Sequence, residues 1–299
     1  MGKTREIKKR IKAVGNIRRI TKTMQMIATA KFSAAQQRSV ASRPYTDALF
    51  ELVAGLAKSL GDVQHPLLQV NAKKGEGKTV TLVLTSDRGL CGPYNGAILR
   101  TMMQFLRENP AHKNGLIELV GKKGAGFLKY NRINVAQQHN QFGDKPTYEK
   151  VEALAQDYID RFAKGEIVSV HVVYMKFITA GKQTPTVLQL LPFRTDAMEK
   201  HAPGHIEKPA GTSTAQYEFT PGASELLSEL LPAAVKAVLF QAFNDAVVSE
   251  HVARMVAMKA ATDNAGKMGK RLTRTFNRAR QAQITTELTE IVAGAAALG

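Results

Sequence analysis

The chain has 299 residues, 44% of them hydrophobic, which is enough for one large or two ordinary domains and excludes a fibrous or disordered protein. Its 42 Lys and Arg against 25 Asp and Glu give a net charge of +17, which implies an acidic partner surface. The single cysteine, Cys91, excludes a disulfide within the chain. The first residues lack the apolar run of a signal peptide, and we find no run of about 18 apolar residues that would predict a membrane span.

Residues 3–60 predict the first element, a long helix with a possible bend at Pro44. Apolar or small side chains recur there at steps of three and four, which places them along one face of a helix. The predicted stripe consists of Ile7, Ile11, Val14, Ile17, Ile20, Met24, Ile27, Ala28 and Ala35.

The middle of the chain predicts a different architecture. Strands alternate with helices there, which indicates a central Rossmann-like α/β domain with a mostly parallel sheet. The predicted strands are residues 80–85, 116–120, 167–177 and 187–191, with helices at 94–107 and 148–163. Residues 195–222, which contain several Pro and Gly residues, predict a loop before the last helix.

Residues 224–299 predict a last helix that is too long to be covered by a compact core, with Pro232 near its start. Its predicted stripe consists of Leu227, Leu231, Val235, Val238, Ala242, Val256, Ala260, Leu272, Phe276, Ala279, Leu288, Ile291 and Ala295. Two one-striped helices at opposite ends of a chain are expected to bury their stripes on each other, and we predict a long antiparallel coiled coil. The predicted division is an N-terminal shaft helix at 1–60, a central α/β domain with loops at 61–222 and a C-terminal shaft helix at 223–299.

The charges on the two predicted helices are strongly one-sided. Residues 1–43 contain twelve Lys and Arg and one acidic residue, Glu6, while residues 254–280 contain eight and only Asp263. A charge run usually marks a solvated helix face, but the opposite charges that normally stabilise such a face are almost missing here. An acidic surface around the helices is the sharper interpretation.

Three short motifs in the middle are chemically suggestive. The sequence KGEGKT at 74–79 resembles the end of a phosphate-binding loop, but it precedes its strand, and Ala72 stands where the first glycine belongs. The sequence GKKGAG at 121–126 follows a strand, yet its glycines do not match the dinucleotide fingerprint. The sequence SDRGLCG at 86–92 has a thiol without a histidine near it in sequence. We predict turns at all three, and no catalytic, cofactor-binding or metal site.

Four segments together carry a family resemblance. They are ITKTMQMIA at 20–28 followed by SRPY at 42–45, SDRGLCG at 86–92, ARMVAMKAATDNA at 253–265 and FNRARQAQITTELTEIVAGAAAL at 276–298. In this order they closely resemble the γ subunit of F-type ATP synthases, of the bacterial type. The resemblance implies a central rotor shaft that transmits torque between an ion-driven membrane ring and the catalytic β subunits, so that proton or sodium flow drives ATP synthesis. It also implies a subunit that is not itself catalytic.

The resemblance further implies partners and contact residues. The partners would be the hexamer of α and β subunits, the ε subunit and the membrane c-ring, with one copy of this chain per complex and Mg-nucleotide held on α and β. Lys22, Met24, Arg254, Arg280 and Gln281 match positions that contact the hexamer. The foot on the membrane ring would involve a second set, Tyr217, Glu218 and Phe219. The expected location is peripheral, on the cytoplasmic face of a bacterial inner membrane.

A competing hypothesis is a basic coiled-coil protein that binds nucleic acid. It would explain both the charge and the long helices, and it predicts affinity that falls steeply with salt. Aromatic side chains for base stacking are scarce in the basic stretches, which hold only Phe32 and Phe276. We therefore rank nucleic acid behind the rotor interpretation.

Overall fold

The computed structural model describes residues 2–60, 65–68, 77–193 and 222–298. Contacts divide the chain into two compact units, the helical unit of Met1–Ala30 and Arg254–Gly299, and the α/β unit of Lys31–Ala253. The elements in chain order are α1 (Gly2–Leu60), β1 (Lys78–Leu84), α2 (Tyr94–Glu108), α3 (Pro110–Lys113), β2 (Leu116–Val120), α4 (Lys123–Tyr130), β3 (Gln137–His139), α5 (Tyr148–Ala163), β4 (Ile167–Thr179), β5 (Lys182–Leu191) and α6 (Ala223–Leu298).

The α/β unit contains one five-stranded sheet in the order β3-β2-β1-β4-β5. Strands β3, β2, β1 and β4 are parallel, and β5 pairs antiparallel with β4. Strand β1 lies in the middle, and six of its seven residues are buried, as its run of β-branched and apolar residues predicts for a central parallel strand. The mostly parallel sheet of the sequence-based prediction is confirmed.

Both faces of the sheet are covered, and the alternation of side chains along the strands shows how. Val80, Leu82 and Leu84 of β1 point into a core shared with α5 and with parts of α1 and α6. Val83 of the same strand points the other way, into a second core with α2 and α4. The sheet is therefore the middle of three layers, and each helix buries one apolar stripe on it.

Two strands differ from their predicted form. Strand β3 has only three residues, Gln137–His139, and was missed because it lacks β-branched side chains. Strand β5 begins at Lys182, five residues before the predicted start, because its polar first half is held by the hairpin with β4 rather than by burial. Short and polar strands give little periodic signal, so only their pairing partners define them.

The helical unit is an antiparallel helix pair. The hydroxyl groups of Thr21 in α1 and Thr262 in α6 are hydrogen-bonded at 2.8 Å, and Thr4 is hydrogen-bonded to Gln283 at 3.1 Å. Residue numbers rise along one helix as they fall along the other, which confirms the antiparallel prediction. The Thr21–Thr262 contact joins two short side chains, so the helix axes approach closely at that level.

The predicted stripe of α1 is wrong in part of this unit. Ile17, Ile20 and Ile27 are 52%, 59% and 51% exposed, whereas Thr21 and Ala28 are buried. A step of three residues turns only about 300°, so two such steps in a row move a side chain about 120° away from the original face. The buried seam advances by seven residues, from Thr21 to Ala28, which keeps it on one face.

The same correction applies to α6 in this unit. Val256 is 55% exposed, and Leu288 and Ile291 are 61% and 69% exposed, although all three belong to the predicted stripe. The buried positions are Met258 and Thr262, together with Ala265. Hydrophobicity alone therefore selects the wrong face where small residues form the contact.

One statement about membrane spans also changes. Within Glu225–Ala297, α6 holds a window that is long and apolar enough to cross a membrane by length and composition, and 44% of it is buried inside the protein. The described part of α6 in the α/β unit packs Leu227, Leu231 and Leu239 into the core. A core helix passes the same test, so this window is weak evidence for a span.

Candidate partner-binding surface

The helical unit carries most of the net charge of the protein. It has 17 Lys and Arg against 4 Asp and Glu, which leaves +13 of the total +17. Arg10 is paired with Glu6 at 2.6 Å, and both side chains are well exposed. An exposed pair of this kind contributes little stability, so the remaining repulsion has to be relieved by salt or by an acidic partner.

Arg280 and Gln281 lie on the exposed surface of α6. Arg280 lines a groove of about 300 Å³ between α1 and α6, beside Thr4, Phe276 and Gln283. The lining of this groove is partly apolar, and the groove lies at the level where the two helices are joined by the Thr4–Gln283 hydrogen bond. An arginine placed in this way can present its fork of donors to a carboxylate.

Lys22, Met24 and Arg254 lie elsewhere on the helical unit. Lys22 is exposed, and Met24 and Arg254 are partly buried. Lys22 follows Thr21, whose partner Thr262 precedes Arg280 by 18 residues, or roughly 27 Å of helix at 1.5 Å per residue. The predicted contact residues therefore do not form one site but occupy separate levels of the helix pair. Tyr217, Glu218 and Phe219 lie outside the described residues.

A second groove in the helical unit was missed from the sequence. It has a volume of about 720 Å³ and is lined by cations and by small residues, including Gly15, Gly266 and Gly269. A Cβ atom added at Gly15 or Gly269 would meet nothing within 4 Å, so the glycines leave open space between the helices. Arg18, Lys267, Lys270 and Arg274 line the same groove, together with Asp263. Glycines spaced among cations were the signal that could have predicted it.

The SDRGLCG segment forms a tight turn after β1. Cys91 is only 2% exposed, and its sulfur accepts a hydrogen bond from the Asn95 amide at 3.2 Å. The same amide group of Asn95 donates to Ser86 Oγ at 2.8 Å, while the backbone N–H of Ser86 donates to Asn95 Oδ1. The thiol is thus part of a network that holds the loop, which supports the predicted turn over a nucleophile.

The GKKGAG segment is also explained by packing. Gly121 has φ +84°, and a Cβ atom on it would stand 2.2 Å from the carbonyl oxygen of Thr85. A Cβ atom on Gly124 would stand 2.6 Å from Leu119, and its N–H donates to Thr85 Oγ1. These glycines let β1, β2 and α4 approach one another, as the turn prediction requires. Most of the KGEGKT segment lies outside the described residues.

A buried polar network in the α/β unit was not foreseen. Glu118 on β2 is 2% exposed and accepts hydrogen bonds from Tyr158 at 2.7 Å and Arg161 at 3.2 Å, and its carboxylate lies 2.9 Å from His139 Nε2. Burial acts to raise the pKa of Glu118, but the hydrogen bonds from His139, Tyr158 and Arg161 outweigh it and lower the pKa overall. This network joins α5 to the β2–β3 edge, and its side chains are hydrogen-bonded to one another.

A metal site would need several ligating side chains among the residues that the structure describes. Among them no group of three or more His, Cys, Asp or Glu side chains is arranged to hold a metal ion. The described fold combines the two units set out above. It defines a class of protein in which a basic antiparallel helix pair accompanies a doubly covered, mostly parallel sheet.

Comparisons with known proteins agree with this class. A family model described as ATP synthase matches residues 3–298. The chain is 42% identical to the ATP synthase gamma chain of Rhodopirellula baltica over 100% of this chain and 99% of that one, and 40% identical to that of Desulfitobacterium hafniense over the full length of both. The chain therefore belongs to the ATP synthase gamma chain family.

Solved structures share the fold. The rotor of the Euglena gracilis mitochondrial ATP synthase in rotational state 1 matches with a TM-score of 0.61 at 19% identity, covering 95% of this chain and 99% of that chain. The OSCP/F1/c-ring structure of the same enzyme in rotational state 3 matches with a TM-score of 0.67 at 19% identity, covering 99% and 95%. These comparisons give no support to the nucleic-acid hypothesis.

Proposed function

We propose that this chain is the central rotor subunit of a bacterial F-type ATP synthase. The observation that carries the proposal is the concentration of +13 of the net charge on an antiparallel helix pair in a member of the gamma chain family. A basic helix pair of this kind is stabilised when acidic surfaces surround it, as a hexamer of α and β subunits would do. Ion flow through a membrane c-ring would then turn the subunit and drive ATP synthesis.

The mechanism follows from asymmetry. Chemically identical β sites can differ in state only if something unequal stands among them, and two helices with different faces are unequal in every orientation. Each orientation gives each site different contacts, and a difference in contact energy shifts a conformational equilibrium. Rotation therefore takes every site through its states in turn, with one copy of the rotor per complex.

The contact residues occupy two levels in this proposal. Arg280 and Gln281 form the directional contact, with the exposed guanidinium of Arg280 hydrogen-bonded to a carboxylate on a β-subunit loop. Lys22 and Met24 form a second contact, and Arg254 adds a third cation. Because exposed charges exchange partners at little cost, such contacts permit turning.

The remaining assignments complete the complex. Tyr217, Glu218 and Phe219 belong to the foot on the c-ring, and the ε subunit binds the same rotor. The proposed functional division is shaft helices at 1–60 and 223–299 and a central domain at 61–222, with residues 31–60 and 223–253 of the helices belonging to the α/β unit. This chain is peripheral in the complex, on the cytoplasmic face of the inner membrane. In this proposal Mg-nucleotide is bound and converted on α and β, and this chain transmits torque without catalysing the reaction.

Reconstitution tests this function. The full chain is mixed with purified α and β subunits, and a bead or rod is attached to the α/β unit. We expect a complex with one copy of the chain, which rotates when ATP is supplied and in which ATP hydrolysis and rotation stay coupled. A chain that leaves α and β unassembled, or a complex that hydrolyses ATP without turning the probe, would refute the proposal.

A further inference from the structure

A groove on the α/β unit has no role in the rotor function described above. Its volume is about 580 Å³, and it lies where α2 and α4 end and β2 begins. The lining residues are Met103, Leu106, Arg107, Pro110, Lys113, Asn114, Gly115, Ile117, Asn131, Arg132, Ile133 and Asn134. The floor is apolar, since Leu106 and Ile117 are buried, while the rim is polar.

The rim of this groove is basic. Arg107, Lys113 and Arg132 are all exposed and all line it, and no Asp or Glu is among the lining residues. In the part of the chain that the structure describes, none of the three is paired with a carboxylate. A cationic rim around an apolar floor is complementary to a segment that carries both carboxylates and an apolar side chain.

Arg132 occupies a backbone position that favours glycine. Its φ is +57°, and it follows the end of α4. The N–H of Arg132 donates to the carbonyl of Lys129, and the N–H of Ile133 donates to the carbonyl of Leu128. These two hydrogen bonds are the Schellman motif, whose left-handed residue is usually glycine.

An arginine at that position therefore makes the helix end less stable than glycine would. A non-glycine residue with a left-handed backbone on the rim of a groove points to a role outside folding. Tyr130, two residues before it in the chain, is 88% exposed. Tyr and Arg are the residue types that dominate binding energy in protein interfaces.

We propose that this groove binds an acidic peptide segment of another subunit in the assembled complex. Carboxylates of that segment would pair with Arg107, Lys113 and Arg132, and an apolar side chain would cover Leu106 and Ile117. The proposal rests on the proposed function in one respect, because the groove is tested in the assembled rotor complex.

The test uses the complex isolated from its source through a tag on the full chain. A water-soluble carbodiimide joins a lysine amine directly to a carboxylate in contact with it, and mass spectrometry identifies the joined residues. We expect Lys113 to be joined to an Asp or Glu of another subunit. The exposed Lys145, which does not line the groove, serves as the matched control.

The variant Arg132→Gly separates binding from folding. It removes a cation from the rim and supplies the residue that the Schellman motif favours, so the urea midpoint of the chain should rise or stay unchanged. The yield of the Lys113 product should nevertheless fall, by up to about fivefold for the loss of one exposed charge contact. A variant that only destabilised the fold could not give this combination.

Other results overturn the proposal. These are no Lys113 product, a product with a second copy of this chain, or an unchanged yield in Arg132→Gly. Binding of the chain to vesicles of phosphatidylcholine and phosphatidylglycerol that is lost in Arg132→Gly would assign the rim to a lipid surface instead.

The groove and the rotor function can fail separately. A complex that rotates without the Lys113 product leaves the rotor function intact and refutes only the proposed role of the groove. A tag that recovers no α and β refutes the rotor function, while the Lys113 product still decides the groove.

Discussion

His171 on β4 should make the α/β unit sensitive to mild acid. Its ring lies 4.4 Å from the ring of His112 and 5.0 Å from that of Phe105, measured between centroids. Its Nδ1 is buried and finds no hydrogen-bond partner among the described residues. Burial, and secondarily the charge of His112, lower the pKa of His171 to about 4 from its usual 6.5.

The sign of the effect follows from linkage. Between the two pKa values the unfolded chain binds a proton that the folded chain does not, so stability falls as the pH falls through this window. At about pH 5 an unfolded histidine is almost fully protonated, while His171 in the fold is mostly neutral. The folded state should lose about 2 kcal/mol from this group between about pH 7.5 and pH 5.

The assay is urea unfolding of the full chain at these two pH values, with tyrosine fluorescence as the signal. The chain has seven tyrosines and no tryptophan, and all seven lie within residues 31–253, so the signal reports on the α/β unit. His171→Phe keeps a ring of similar size and removes the ionisable group. Its free energy of unfolding should be about 2 kcal/mol less dependent on pH over this interval than that of the original chain.

The comparison uses the difference between two pH values, so a cost of the substitution that is the same at both cancels. Glu118 and Asp144 are present in both proteins and titrate below this window, because both have lowered pKa values. If His171→Phe loses as much stability on acidification as the original chain, His171 is not buried as a neutral group and the reasoning fails.

Three further predictions concern other parts of the molecule. Arg280→Ala should lower the rates of coupled rotation and ATP synthesis by tenfold or more, equivalent to about 1.4 kcal/mol. The control Arg278→Ala, on another face of the exposed helix, should leave both rates unchanged. Equal rates in the two variants would contradict a directional contact at Arg280. Gly121→Ala should lower the free energy of unfolding in urea by about 3 kcal/mol, because its Cβ would stand 2.2 Å from a carbonyl oxygen. Gly126→Ala, whose Cβ would meet nothing within 4 Å, should be neutral or stabilising. Similar losses of stability in the two variants would contradict this prediction. Glu118→Gln should lower the free energy of unfolding in urea by about 2 kcal/mol at neutral pH. It should also lack the further loss of stability that the original chain shows in acid, when the Glu118 carboxylate is protonated. An unchanged dependence of stability on acid pH would show that this carboxylate does not cause the loss.

The sheet was predictable because its central strands have a recognisable sequence pattern. The β1 run consists of β-branched and apolar residues after Lys78, and β4 is long and rich in β-branched residues, so burial on both sides could be predicted from composition. The hairpin partner β5 and the three-residue β3 were only partly accessible, since polar residues there are held by neighbouring strands. Pairing across the sheet is a tertiary property and leaves little local periodicity.

The candidate contact surface was predictable to a different degree. The excess of positive charge on the terminal helices is visible in the sequence, and the family resemblance selects Arg280 and Gln281. The groove that Arg280 lines depends on Thr4 and Gln283 meeting across 279 positions in the chain. No local pattern encodes a contact between residues so far apart, so this part of the surface required the structure.

The sequence by itself determined that the chain ends in two long basic helices around an α/β domain, because periodicity and charge are local properties. Only the tertiary structure decided which face of each helix forms the seam. Hydrophobicity favours Ile17 and Ile20, yet Thr21 and Thr262 form the contact, since close approach of two backbones selects small side chains over large ones. The larger isoleucines are left exposed on the outside of the helix pair, where the proposed partner surfaces would meet them.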